Sequence, residues 1–183
     1  MKMKKLTSLF ILFLAFAFCG WIYEVVLTLI AYGYFENRGF LYGPWLPIYG
    51  FGGLMLFAAA GRFVEKPAKP GRVILRTVLI FVAITVLSAL FELIASYLLD
   101  AVGVGYRTLW FYDGEPFNFD GRVSLIASLR FGVIGVIALY VAVPLWKRFT
   151  AVSDKPAVKA INIILIVLFF TDLVLRLIFL MQT

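Results

Sequence analysis

"VILRTVLIFVAITVLSALFELIASYLL", residues 73–99, decides the class of fold. Only Arg76 and Glu92 carry charge across it. A helix of roughly 20 apolar residues crosses the hydrocarbon of a bilayer, and this run is longer. A helix on the surface of a soluble protein would show one apolar stripe and one polar face. Here the proportions are reversed. Apolar residues surround a single narrow stripe of Thr85, Ser88, Glu92 and Ser96, spaced three, four and four apart. Four more stretches have the same character, at about 6–31, 43–61, 123–146 and 157–180. Across the 183 residues, 63% are hydrophobic and 15% are charged, with a mean hydropathy of +1.01. A soluble domain of this length has no interior large enough for that much apolar surface. The expected fold is an all-α membrane protein. It is a bundle of about five transmembrane helices forming one integral membrane domain, 1–183, with an extracytoplasmic aromatic loop.

The second span is the irregular one. It follows from "NRGFLYGPWLPIYGFGG", residues 37–53, where Gly43-Pro44 and Pro47 oppose a regular helix start. Gly50, Gly52 and Gly53 allow neighbouring backbone to approach closely. Irregular backbone at membrane depth is tolerated where it is buried in protein or lines a wet cavity. The reading is a broken or re-entrant second segment whose exposed amides and carbonyls help to form such a cavity.

Charge placement gives an orientation. Twelve of the seventeen basic residues fall before the first span (Lys2, Lys4, Lys5), between the second and third (Arg62, Lys66, Lys69, Arg72, Arg76), or between the fourth and fifth (Lys147, Arg148, Lys155, Lys159). Basic residues concentrate on the cytoplasmic side, so a multi-pass cell-membrane protein with its N-terminus cytoplasmic and its C-terminus extracytoplasmic is expected. The net charge of +7 then reports topology and attraction to anionic lipid, and no nucleic-acid partner is expected. The Lys-rich start and apolar run resemble a signal peptide, but the run continues past Ala17 to about Ile30, which favours a retained first span. Ser153-Asp154 is placed to cap the fifth helix ahead of Pro156. The chain has one cysteine, Cys19, and no histidine, which removes an internal disulfide, histidine-based catalysis and histidine-containing zinc sites. No cofactor, metal or defined catalytic residue is expected.

Five ionisable residues stand inside the spans: Glu24, Glu92, Arg130, Asp172 and Arg176. Such residues usually pair or line a cavity. With the orientation above, all five lie in the outer half of the bilayer. Asp172 and Arg176 are four apart and could pair within their helix. Ser124, Ser128, Gly132 and Gly135 form a small-residue seam suited to close helix packing. The candidate ligand-binding set is Glu24, Asn37, Arg38, Tyr49, Glu92, Ser96, Asn118, Arg122, Arg130, Asp172 and Arg176, gathered around one outward-facing polar cavity. The rings Tyr106, Trp110, Phe111, Tyr112, Phe117 and Phe119 of loop 100–122 read either as an aromatic belt on the membrane surface or as a lid.

The chain resembles the CmpB-like small integral membrane proteins, the ABC-transporter type IV permeases. The likeness rests on Gly20-Trp21 with Glu24, on the 37–53 segment, on Glu92 followed by Ser96, and on "FNFDGRVSLIASLRFG" at 117–132. Family members carry a Trp-Asp-Tyr-Ser-like stretch before the Phe-Asn motif, whereas "LWFYDGEPFN" stands here, with Asp113 as a shifted acid. An aromatic residue is common in the family near Arg130. The resemblance implies a membrane protein linked to transport. The chain has no GxxxxGK[ST] phosphate loop, so it does not bind ATP in that way, and any energising ATPase is a separate subunit.

Three readings follow. In the first, the cavity takes a small polar or zwitterionic solute or a lipid head group, with arginines suited to carboxylate or phosphate. In the second, the chain is an intramembrane enzyme on a lipid-linked substrate, with Glu24 or Glu92 as base. No nucleophile–base pair marks out a reaction. In the third, it is a non-catalytic membrane scaffold. A homodimer through the small-residue seam is compatible with each.

Overall fold

The computed structural model describes residues 2–101, 103, 105–108 and 110–182. The side chains of Lys2, Lys4 and Lys5 lie outside what is described. Five helices follow one another: α1 (Lys2–Tyr32), α2 (Pro47–Glu65), α3 (Pro70–Ala101), α4 (Leu125–Val152) and α5 (Pro156–Gln182). Each is long and apolar enough to cross a membrane. Between α3 and α4 come a 3-10 turn at Tyr106–Thr108 and two short antiparallel strands, β1 (Asn118–Phe119) and β2 (Val123–Ser124). In their register Asn118 faces Ser124 and Phe119 faces Val123. Leu87, Ile94 and Val167 stand exposed on the helices, where a soluble protein would bury them and a lipid-facing surface would not.

The helices run further than the apolar spans. The basic stretches at 61–76 and 147–159 are mostly helical, and the connections shrink to residues 66–69 and 153–155. Charged residues continue a helix readily once it leaves the apolar run. Arg76 closes the first connection, donating to the carbonyls of Phe63 and Lys66 at the free C-terminal end of α2. At the second connection Ser153 turns back toward α4, while Asp154 lies 3.7 Å from Lys159 of α5. The Ser153 hydroxyl donates backward to the Thr150 carbonyl, and Pro156 opens α5 at a position where its missing N–H costs nothing. The irregularity of the second span is confined to residues 33–46, and α2 is unbroken from Pro47.

The described residues divide into two compact units. The first comprises Met1–Gly61 and Val141–Thr183. Its core is Phe13, Leu14, Leu41 and Phe169, joined by Trp45, Leu54 and Leu173. Leu41 and Trp45 draw the irregular segment into that core, and the Leu46 N–H donates to the Ala17 carbonyl of α1. Phe13 and Phe16 lie against the backbone of α2 at Gly50 and Gly53, leaving no room for a Cβ at either position. Gly52 faces open space, so only two of the three glycines serve a close approach.

The second unit is Arg62–Tyr140. Ser124 and Ser128 of the small-residue seam are fully buried, and Gly132 meets Thr85 and Phe81 of α3. The seam on α4 is therefore a helix-packing face. Ser124 also begins α4, its hydroxyl accepting from the Ile126 and Ala127 amides.

Candidate functional site

In the first unit a polar chain runs from α1 to α5 through the irregular segment. Trp21 of α1 donates its indole N–H to Asn37 Oδ1 at 2.7 Å, and Asn37 Nδ2 donates to the Tyr42 carbonyl at 2.8 Å. The next two N–H groups, of Tyr42 and Gly43, donate to the two carboxylate oxygens of Asp172 at 3.0 and 2.8 Å. Pro44 and the bend at Gly43 leave these amides without a helical acceptor, and a carboxylate meets both. The expected pairing of Asp172 with Arg176 is not formed among the described residues. The carboxylate is taken by backbone. Arg176 instead lies against the rings of Phe40, Tyr42 and Phe179, with its carbon 5.4, 5.1 and 5.7 Å from their centres. Its Nη1 is 3.4 Å from the Tyr42 hydroxyl.

A second cluster in this unit joins three more candidates. Tyr49 of α2 donates its hydroxyl to Glu24 Oε1. The Arg38 guanidinium lies 4.0 Å from the other Glu24 oxygen and 3.2 Å from Glu36. The Arg38 side chain is 35% exposed and that of Glu24 25%, so neither charge is enclosed by the protein. Gly20 makes the Tyr49–Glu24 contact accessible, because the Tyr49 ring occupies the space where a Cβ of residue 20 would lie. Within the first unit, then, Glu24, Arg38 and Tyr49 form one mixed-charge group. Asn37, Asp172 and Arg176 are joined to one another through Tyr42.

The remaining candidates belong to the second unit, and Arg122 is their centre. Its Nη1 bonds Asp100 at 2.7 Å and the fully buried Ser96 hydroxyl at 3.3 Å, while Nε bonds Asp120 at 2.9 Å. The guanidinium is sandwiched between Tyr97 and Tyr106, 4.4 and 4.3 Å from the ring centres. Two carboxylates at hydrogen-bonding distance raise its pKa and hold it charged at any working pH. Arg107 is likewise held charged by Asp113. Glu92 accepts from the Tyr112 hydroxyl at 2.8 Å. Arg130 is half exposed, with Nη1 3.7 Å from Glu115, which also accepts from Ser124. Asn118 shapes the hairpin, donating to the Glu115 carbonyl and accepting from the Gly121 N–H across the turn.

The loop rings divide by direction. Tyr106 is buried, donating to the Asp120 carbonyl, and Trp110 donates to the Arg122 carbonyl. Phe111, Phe117 and Phe119 are exposed. Sequence reasoning missed Tyr42, Tyr97, Asp100 and Tyr112 as members of these networks. Tyr42 was visible inside the 37–53 motif, and Asp100 follows Glu92 and Ser96 at a further interval of four. Tyr112 carried no signal beyond its place among other rings.

The family described as "Putative ABC-transporter type IV" matches residues 11–177, which include every candidate residue. The chain belongs to this family. Its name describes an ABC-transporter-type membrane protein, and the five apolar helices make this type IV chain a multi-pass membrane protein. No curated protein and no solved structure matches it.

Proposed function

We propose that the chain, acting as one integral membrane domain, is the membrane component of a transport system. It binds a small polar or zwitterionic solute, or a lipid head group, in an outward-facing polar cavity. The mixed-charge group of Glu24, Arg38 and Tyr49 carries this reading. A carboxylate on a membrane span and a guanidinium just beyond it, 4.0 Å apart and both partly exposed, are matched to a ligand bearing both charges. Asn37 and Asp172 hold the irregular segment that presents Arg38. In the second unit Arg122, Ser96 and Asn118 hold the loop, and Glu92 and Arg130 are its partners through Tyr112 and Glu115. The basic ends of the helices lie in the cytoplasm, with the C-terminus outside. A separate ATPase subunit docks at the connections 66–69 and 153–155 and supplies energy.

The test is thermal unfolding of the purified protein in neutral detergent with alanine, glutamine and glycerophosphocholine as probes. Binding to the folded state raises the midpoint by mass action. Arg38→Ala and Glu24→Gln should fold and lose the shift. Collapse of both variants without ligand, or shifts that survive both substitutions, defeats the proposal.

A further inference from the structure

Arg176 differs from the other arginines of these networks. Arg38, Arg107, Arg122 and Arg130 each have a carboxylate within 4.0 Å. Arg176 has none among the described residues. The nearest acid along its helix, Asp172, is engaged by the Tyr42 and Gly43 amides. Arg176 Nη1 has a single long contact, 3.4 Å from the Tyr42 hydroxyl, and its Nε is enclosed without an acceptor. The surroundings are otherwise the rings of Phe40, Tyr42 and Phe179, which attract a cation weakly and neutralise none of its charge. An arginine in a membrane span with five N–H donors and one weak acceptor is poorly satisfied.

Its position says what could satisfy it. Arg176 faces Phe40 and Tyr42 of the irregular segment, which begins where the apolar span of α1 ends at Tyr32. A side chain at that height reaches the level of lipid phosphates, and aromatic rings favour the same level. The guanidinium fork matches two oxygens of a phosphate, and the rings would shield the pair from water on their side.

We propose that Arg176 is an anion-binding residue that takes a phosphate group, carried by a lipid head group or free in solution. The ring cage of Phe40, Tyr42 and Phe179 orients it. The inference goes beyond the reading above, because Arg176 is joined to Asn37 and Asp172 through Tyr42 and not to the group of Glu24, Arg38 and Tyr49.

The experiment follows the unfolding midpoint of the full chain in neutral detergent. The probes are phosphatidylglycerol, inorganic phosphate and, as a phosphate-free lipid, diacylglycerol. Phosphatidylglycerol should raise the wild-type midpoint where diacylglycerol does not. Arg176→Gln should weaken half-saturation by about tenfold or more, the scale of a lost charge-assisted bond. Arg176→Lys, which keeps charge without the fork, should fall between, and serves if Arg176→Gln does not fold. Tyr42→Phe keeps the ring and removes the competing hydroxyl, so it should bind at least as well as wild type. A matching shift with inorganic phosphate, absent with equal ionic strength of chloride, assigns the site to free phosphate. Its absence assigns it to the lipid. If Arg176→Gln and Arg176→Lys both respond as wild type, the inference falls. Should the response then vanish in Arg38→Ala, the anion is held at Arg38 and the ligand-binding reading stands without this one. A wild type indifferent to both phosphate probes also overturns it.

Discussion

At Asp172 one carboxylate receives two consecutive backbone N–H groups, and no neutral side chain can replace it fully. Asp172→Asn keeps one acceptor oxygen and turns the other position into a donor facing an amide. The loss of charge-assisted bonds at this half-buried position should destabilise the protein by about 1–2 kcal/mol, with Asp172→Ala worse. Thermal unfolding of the two variants checks both the size and the order. Arg122 raises a similar question in the second unit, because its fork bridges Asp100, Asp120 and Ser96 at once. A lysine is a single point of charge and cannot reach all three. Arg122→Lys should therefore open loop 103–122 to limited proteolysis several-fold faster than wild type, nearly as fast as Arg122→Ala. If Arg122→Lys protects the loop as the wild type does, the bridging geometry is not what holds it.

Between elements, the contact of α1 with α2 depends on which glycine faces which ring. A Cβ on residue 53 would collide with Phe16, whereas one on residue 52 would meet nothing. Gly53→Ala should cost about 1–3 kcal/mol through overpacking. Gly52→Ala should be neutral or stabilising by up to about 1 kcal/mol, because alanine restricts the unfolded chain. Unfolding curves that rank the two substitutions the other way would contradict the packing. Composition located the close approach near 50–53, since glycines cluster where backbones meet. It did not say which of the three was needed, because helix phase depends on where α2 starts, and Pro44 and Pro47 both offered a beginning. The small-residue seam of α4 was easier to read. Its spacing of four, four and three fixes a face whatever the start.

Across the whole molecule, five spans were legible because length and hydropathy alone define a helix in lipid. Charge partners were not, since pairing turns on a few ångströms that no spacing encodes. Asp172 and Arg176 illustrate the difference. The interval of four was correct for a shared face, but the unmet amides of the irregular segment compete for the same carboxylate and win. The proposed orientation has a direct check. With Cys19 replaced by alanine, a cysteine at Lys69 in the α2–α3 connection should resist a membrane-impermeant maleimide on intact cells. One at Gly114, in the loop before α4, should react. The opposite pattern would invert the topology.

The Asp172 bonds span 130 and 129 residues of chain. Their acceptor is therefore translated long after the amides it will meet. During synthesis the ribosome must pass the middle of α5 before the kink at Tyr42 and Gly43 can lock. Until then those amides depend on water or on the insertion machinery, and α5 finishes a turn begun between α1 and α2.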